Sequence, residues 1–341
     1  MEAMISSTEK YYSGQKSPEM IDEVSLSHLL REKNPFTKDS LPFGGQLARI
    51  MKERKLIPPK PSILEIGPGL GDVAKSFTSE LCGEWNYTFF DLSKRIIGFL
   101  KGVFPKEKFR FIAGDVLKIG ERKERYNFII CNEVLADLPM VINPFSDVGE
   151  TDHEKWEMVM DARRQIDQYG IKLPKRDVVF NYGAIRFLEQ VSRILEKKGI
   201  VFISENACDP GYPRMIPVYG HNEFSIKFDW LEKAAKKLGF SVETGKITDL
   251  LEIRNRDFLS MFLLPELKVI FDHLNFHNIE KHITGEGSKA LSVDEFLRFL
   301  DEYSDKINID NLDHYKKMLK KSARNITLVT GQFRYLILRK K

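Results

Sequence analysis

Residues 63–75 read ILEIGPGLGDVAK: an apolar run broken by Glu65, then glycines at 67, 69 and 71. Each glycine costs backbone entropy on ordering and adds no side chain to a core. Three of them within five residues therefore mark a turn that needs bare backbone. Where a parallel strand turns directly into a helix, glycines permit the tight turn and let a ligand lie against the main chain. The helix start then offers free N–H groups. In open α/β sheets such a site lies beyond the carboxyl ends of the strands.

The flanking sequence has the pattern this reading requires. SILEIG forms a first strand, and Leu70, Val73, Ala74, Phe77 and Leu81 then recur on one helical face. NYTFFD is a second strand ending at Asp91, and Ser93 caps a helix that turns Ile96, Ile97 and Leu100 inward. KFRFIAGD, YNFIICN and GIVFISEN follow, the last preceded by a helix carrying Ile185, Leu188, Val191 and Leu195. Alternating strands and helices build a parallel sheet. A further helix with Leu231, Ala234, Ala235 and Leu238 stops at Gly239, and FSVETGKI follows as a strand. ITLVTGQFRYLILRKK reads as a final strand pairing with the same sheet.

The expected core therefore covers 58–254 and 324–341, after a partly helical lead-in over 1–57. Two helical insertions interrupt it, at 141–178 and at 255–323. The second holds SVDEFLRFLDEY, where Ser292 and Glu295 form a capping box, and is expected to be an acceptor-binding cap.

Composition narrows the class without naming a substrate. The chain has 341 residues, 42% hydrophobic content and a net charge of +4, from 53 Lys and Arg against 49 Asp and Glu. That bias permits an acidic partner without requiring one. No run approaches the ~18 apolar residues of a membrane span, and MEAMISSTEKYY lacks the build of a secretory signal, so a soluble, cytoplasmic protein is expected. Cys82, Cys131 and Cys208 show no CxxC spacing and support neither a disulfide framework nor a metal site. ERKER (121–125) and HYKKMLKKSAR (314–324) read as solvated charge, which makes a nucleic-acid partner a minor alternative.

Three cofactor classes use a glycine turn of this kind. A phosphate-binding loop needs Gly-Lys-Ser/Thr, but Gly71 is followed by Asp72, and Asp72 also stands where the nicotinamide fingerprint reserves a glycine. The class left is S-adenosylmethionine, which carries an ammonium, a carboxylate, a ribose and an adenine. Glu65 is placed to face a cationic amino-acid moiety, and Asp91 can accept both ribose hydroxyls. Asp115 follows the third strand, and Asn132 and Glu133 follow the fourth.

EIGPGLG (65–71) resembles the E/D-x-G-x-G-x-G motif of class I S-adenosylmethionine-dependent methyltransferases. The resemblance implies a Rossmann-like α/β fold, a mostly parallel seven-stranded sheet with helical insertions. It also implies that Gly67, Pro68, Gly69 and Gly71 cradle the cofactor, with Leu92 beside Asp91. Asp115 would bond the adenine amino group while Val116 packs on the ring.

A narrower resemblance rests on NEVLADLP (132–139), YYSG (11–14), LPFGGQLARIM (41–51) and GHNEFSIKFDWLEKAAKKLGF (220–240), which are similar to segments of the MidA family. That family includes a mitochondrial complex I assembly methyltransferase acting on an arginine of its protein target. Its D-Y-G after the fifth strand appears here only as DPGY, and its arginine-rich stretch is absent.

Methyl transfer is an in-line displacement, so the enzyme aligns the reactants and manages one proton. For a guanidinium acceptor, Glu133 is the first candidate to orient the nitrogens and Asp137 the second, the two sharing a face if a helix begins by Val134. His221 and Asn222 are candidates to line the acceptor pocket. A protein acceptor is expected first. A small molecule under a closed lid, RNA, and an assembly factor that binds cofactor without chemistry are the alternatives.

Overall fold

The computed structural model describes residues 3–8, 11–12, 25–34, 36–148, 153–174, 178–218, 221–254, 256, 259, 293–302, 312–322 and 332–341. The chain begins with β1 (Met4–Ser6), α1 (Leu26–Leu29) and α2 (Phe43–Glu53). It then alternates through β2 (Ser62–Ile66), α3 (Asp72–Ser79), β3 (Asn86–Asp91), α4 (Lys94–Val103), β4 (Phe109–Ala113) and β5 (Tyr126–Asn132). Next come β6 (Met140–Ile142), α5 (His153–Tyr169), β7 (Val179–Phe180), α6 (Tyr182–Ile194) and β8 (Leu195–Asn206). The described part ends with β9 (Met215–Val218), β10 (His221–Phe224), α7 (Phe228–Lys237), β11 (Phe240–Lys246), α8 (Ile247–Leu250), α9 (Val293–Glu302), α10 (Leu312–Ser322) and β12 (Phe333–Lys340).

Seven strands form one sheet in the order β11-β12-β8-β5-β2-β3-β4. The pairs from β8 through β4 are parallel, and β12 runs antiparallel between β8 and β11. Strand order reverses between β2 and β5, because β3 lies on one side of β2 and β5 on the other. The connections leave in opposite directions there and open a crevice at the strand ends.

Alternate residues of each strand face opposite layers. Ile63, Phe89, Phe128, Phe202 and Ile337 pack with α2, α3 and α4, whereas Leu64, Phe90, Ile129, Val201 and Leu338 pack with α5, α6 and α7. Both faces are covered, as parallel sheets require. Glu65 falls on the first face, among aromatics, and this register buries it.

The lead-in and the first insertion carry, besides helices, short strands that the sequence does not announce. The lead-in contributes a strand as well as helices, since β1 pairs antiparallel with β6, and β6 with β7, in a second three-stranded sheet. The insertion at 141–178 is therefore a helix, α5, carried between two short strands. The sequence hides this because strands of two or three residues leave no readable alternation. Much of 255–323, including Ser292, lies outside the described residues. Leu297 and Leu300 of α9 are buried in the core cluster on the α2–α4 side of the sheet. No helix among the described residues is long and apolar enough to cross a membrane.

Candidate active site

The β2–α3 turn holds Gly67, Gly69 and Gly71 at φ of 62°, 52° and 82°, the left-handed region that side chains disfavour. Their surroundings separate their roles. A Cβ at Gly67 would lie 2.4 Å from Val134 Cγ2, and one at Gly71 would lie 2.5 Å from the Phe104 ring, whereas one at Gly69 would meet nothing within 4 Å. Gly67 and Gly71 permit packing, and Gly69 keeps backbone bare toward open space.

That space belongs to a cavity of about 630 Å³ over the crevice between β2 and β5. Its floor contains the glycine turn with Pro68, then Asp91 and Leu92, then Asp115 and Val116, then Asn132 and Glu133. The structure thus gathers nine of the ten candidate cofactor residues named from sequence, Glu65 included, around one space; the tenth, Gly71, is not a lining residue and packs against Phe104 instead.

Each acid is fixed by a neighbour. Asp91 Oδ1 accepts from Ser93 N at 2.7 Å, and burial raises its pKa to about 6. Asp115 Oδ1 accepts from Leu117 N at 2.8 Å, capping a 3-10 turn. Asp115 is a cap and Asp91 holds the Ser93 cap of α4 from two residues before it, and both line the cavity. Glu65 is 2% exposed and accepts from the Tyr87 hydroxyl at 2.9 Å; burial raises its pKa to about 8. Its carboxyl is therefore largely protonated near neutral pH, and a cation brought beside it would draw the proton off.

Glu133 does not begin a helix. It has φ of 53°, and the turn after it is a single 3-10 turn, Leu135–Asp137, so Glu133 and Asp137 do not share an α-helical face. The left-handed residue after β5 and Pro139 soon beyond leave no room for a helix. The Glu133 oxygens instead accept from Leu26 N at 3.0 and 3.1 Å, at the start of α1. Burial raises its pKa to about 7. Asn132 Nδ2 donates to Glu133 at 3.1 Å and to Ser27 Oγ at 3.0 Å, while its Oδ1 accepts from Ser204.

Asp137 lines the cavity, and its backbone carbonyl accepts from Thr8 Oγ1 at 2.7 Å. His221 is not a lining residue. It sits behind Asp137, with Nε2 3.2 Å from Glu223 and 3.6 Å from Asp137, and it stacks on Tyr11 at 4.1 Å. Asn222, on β10 with it, is exposed and lies away from the cavity. Alternation on a strand turns the two in opposite directions, which a loop reading could not foresee. Asp137, His221 and Glu223 each offer one donor atom within 4.8 Å of the others, the spacing of a metal-ligand group as well as of an imidazole between carboxylates.

Sequence reasoning missed the lead-in's share of the wall. Tyr11, Tyr12, Ser25, Ser27 and His28 line the cavity. His28 Nδ1 lies 2.8 Å from Asp72 Oδ2, and Ser25 Oγ caps α1 by accepting from His28 N at 3.0 Å. Only the Ser before LSHL hinted at that cap. The opposite wall comes from α5, where Glu154, Glu157 and Met158, and Asp161 recur at helical spacing on the cavity side. Tyr182 donates to Asp161 at 3.3 Å.

A family model described as a methyltransferase domain matches residues 43–281. No curated protein matches the sequence. Among solved structures, coclaurine N-methyltransferase is similar at 12% identity and TM-score 0.48, over 98% of this chain and 81% of that one. An S-adenosylmethionine-dependent methyltransferase of Mesorhizobium loti is similar at 10% identity and TM-score 0.41, over 86% and 98%. A cyclopropane synthase of Mycobacterium tuberculosis is similar at 14% identity and TM-score 0.40, over 86% and 84%. Similarity at this level identifies no acceptor.

Proposed function

The chain belongs to the methyltransferase-domain family, and from that premise we propose that it transfers a methyl group to a side chain of a protein, at the end of the cavity beside Glu133. It is an S-adenosylmethionine-dependent methyltransferase. One observation carries the site assignment: a single cavity runs from the bare backbone of Gly69 past Asp91 and Asp115 to Glu133.

The residues present fit the cofactor. Gly69 leaves open the space that a Cβ would take, and among the described residues Asp91 uses Oδ1 alone, leaving Oδ2 for a ribose hydroxyl. Val116, with Asp115 beside it, offers an apolar surface for adenine. The glycine turn and Glu65 receive the amino-acid end. When bound, the cofactor supplies an electrophilic methyl group on a sulfonium that leaves as a neutral thioether.

The chain's own part is alignment and proton handling. Glu133, anchored by Leu26 N, orients the acceptor and takes its proton, and a carboxyl whose pKa lies at about 7 is matched to that task. Asp137 holds the acceptor from the next turn. The α5 wall supports a protein acceptor. Trp156 stands 48% exposed between the lining residues Glu154 and Glu157, and Phe145 is 61% exposed; large exposed aromatics suit docking better than solvation.

The test incubates the protein with radiolabelled S-adenosylmethionine and a lysate of its own cells, with calorimetry of cofactor binding alongside. Label entering protein, and lost in Glu133→Gln at unchanged cofactor affinity, supports the reading. Label only in RNA or small metabolites refutes the protein acceptor. Cofactor binding with no label anywhere supports a binding factor without chemistry.

A further inference from the structure

The amino-acid end of the cofactor carries two charges on one carbon, an ammonium and a carboxylate, and the floor that receives it is acidic. Glu65 stands on β2, and Asp72 opens α3 just past the glycine turn. Asp72 is close enough to add to the rise in the Glu65 pKa. Both acids suit the ammonium. A helix N-terminus is the ordinary seat for an anion, but here the first helical residue is itself a carboxylate, so the cofactor's carboxylate would meet like charge there. That group needs a cationic partner close to the glycine turn.

Among the described residues, the basic side chains lining the cavity are His28, Lys118 and Arg186. Lys118 follows β4, two strands along the sheet from β2, a separation of about 10 Å. Arg186 lies 3.2 Å from Glu189 and 3.9 Å from Asp161, which already hold its charge. Of the three, His28 stands beside the glycine turn, its Nδ1 2.8 Å from Asp72 Oδ2.

The pair with Asp72 sets what the imidazole can offer. An ionised carboxylate only accepts, so Nδ1 carries a proton, and Nε2 is the ring nitrogen that Asp72 does not engage. In its protonated form the ring donates from both nitrogens, to Asp72 on one side and to a second carboxylate on the other. The ring is not what holds α1 in place. Leu26 and Leu29 are buried in the core cluster, Leu26 N donates to Glu133, and Ser25 caps the turn. The His28 side chain itself remains 33% exposed.

We propose that His28 binds the carboxylate of S-adenosylmethionine through Nε2, from the ring that Asp72 holds at Nδ1. This rests on the cofactor assignment above and adds to it a ligand from the lead-in, which precedes the glycine motif in the chain. The two charges of the amino-acid end then go to different parts of the site. Glu65 and the glycine turn take the ammonium, and α1 takes the carboxylate. The lead-in thereby distinguishes the intact cofactor from adenosyl compounds that lack the carboxylate.

Calorimetry on the full chain compares S-adenosylhomocysteine with its decarboxylated analogue, which keeps the amine, and with methylthioadenosine, which has neither group. The parent is expected to bind S-adenosylhomocysteine about tenfold or more tightly than the decarboxylated analogue, the range of one charge-assisted hydrogen bond. His28→Ala should abolish that preference while leaving the affinities for the other two compounds unchanged. Their retained binding also reports that the variant is folded. His28→Gln, which returns an N–H donor without the charge, should recover part of the preference. An unchanged preference in His28→Ala overturns the proposal. So does an equal loss for all three compounds, the mark of a structural role, or a loss of the difference between the decarboxylated analogue and methylthioadenosine, which would put the ammonium at Nε2. A parent chain that binds none of the three overturns the cofactor assignment instead.

Discussion

Gly69 and Gly71 sit two residues apart in one turn, yet alanine at the two positions should fail in different ways. At Gly71, with φ of 82°, any side chain pays the left-handed penalty of about 1–2 kcal/mol. Its Cβ would also fall 2.5 Å from Phe104 Cε2 and 3.0 Å from Leu100 Cδ2, inside the packed core. Overpacking of that kind adds roughly 1–3 kcal/mol, for a total near 2–5 kcal/mol. At Gly69 only the backbone term applies, about 1–2 kcal/mol, because nothing lies within 4 Å. The added methyl would instead occupy the space assigned to the cofactor. Urea unfolding and calorimetric titration with S-adenosylmethionine separate the two effects. Gly69→Ala should stay folded and lose about tenfold or more in affinity, since 1.4 kcal/mol already corresponds to that factor, and Gly71→Ala should be the less stable variant. Parental cofactor affinity in Gly69→Ala, or equal stability losses at both sites, would refute the division of roles.

Other consequences follow from the acids and the caps. Glu133→Gln should lower the methylation rate by about 10²- to 10⁴-fold at unchanged cofactor affinity, and the parent rate should rise with pH through about 7 as the carboxylate forms, measured by labelled-methyl incorporation. Cofactor affinity should weaken as pH falls through about 6, where Asp91 takes up a proton, and Asp91→Asn should flatten that dependence in calorimetry. The same group acts on stability with the opposite slope. Its folded pKa lies above the ordinary aspartate value of 3.8, so its contribution is full below 3.8 and is lost as pH rises through about 6, a trend that urea midpoints across pH would show and Asp91→Asn would remove. Ser25→Ala should cost about 0.5–2 kcal/mol in local stability and speed hydrogen exchange at residues 26–29.

The strands that carry the candidate cofactor acids were legible because each announces itself twice, by an apolar run and by the polar residue that stops it. NYTFFD and YNFIICN match β3 and β5 residue for residue. Glu133 was legible as a residue but not in its setting. Its anchor, Leu26, is far away in sequence, and no local pattern shows that a carboxylate after one strand caps a helix in the lead-in. Tyr11 and Tyr12 were opaque for a similar reason, since long-range packing against His221 makes them wall residues. The expected helix at Val134 failed on a conformational detail, the positive φ of Glu133, which residue type alone does not encode.

The wedge of β12 between β8 and β11 has a consequence for how the molecule is made. Residues 333–340 must return to strands completed at 206 and 246. Loop-closure entropy grows only slowly with the length of the excursion, so the finished molecule loses little by it. The nascent chain is more exposed, because until that segment arrives β8 offers an open hydrogen-bonding edge to any passing strand. A nick within the intervening stretch that freed residues 333–340 would unzip β11 with them, while β4, β3, β2 and β5 beneath the cavity kept their own ladders.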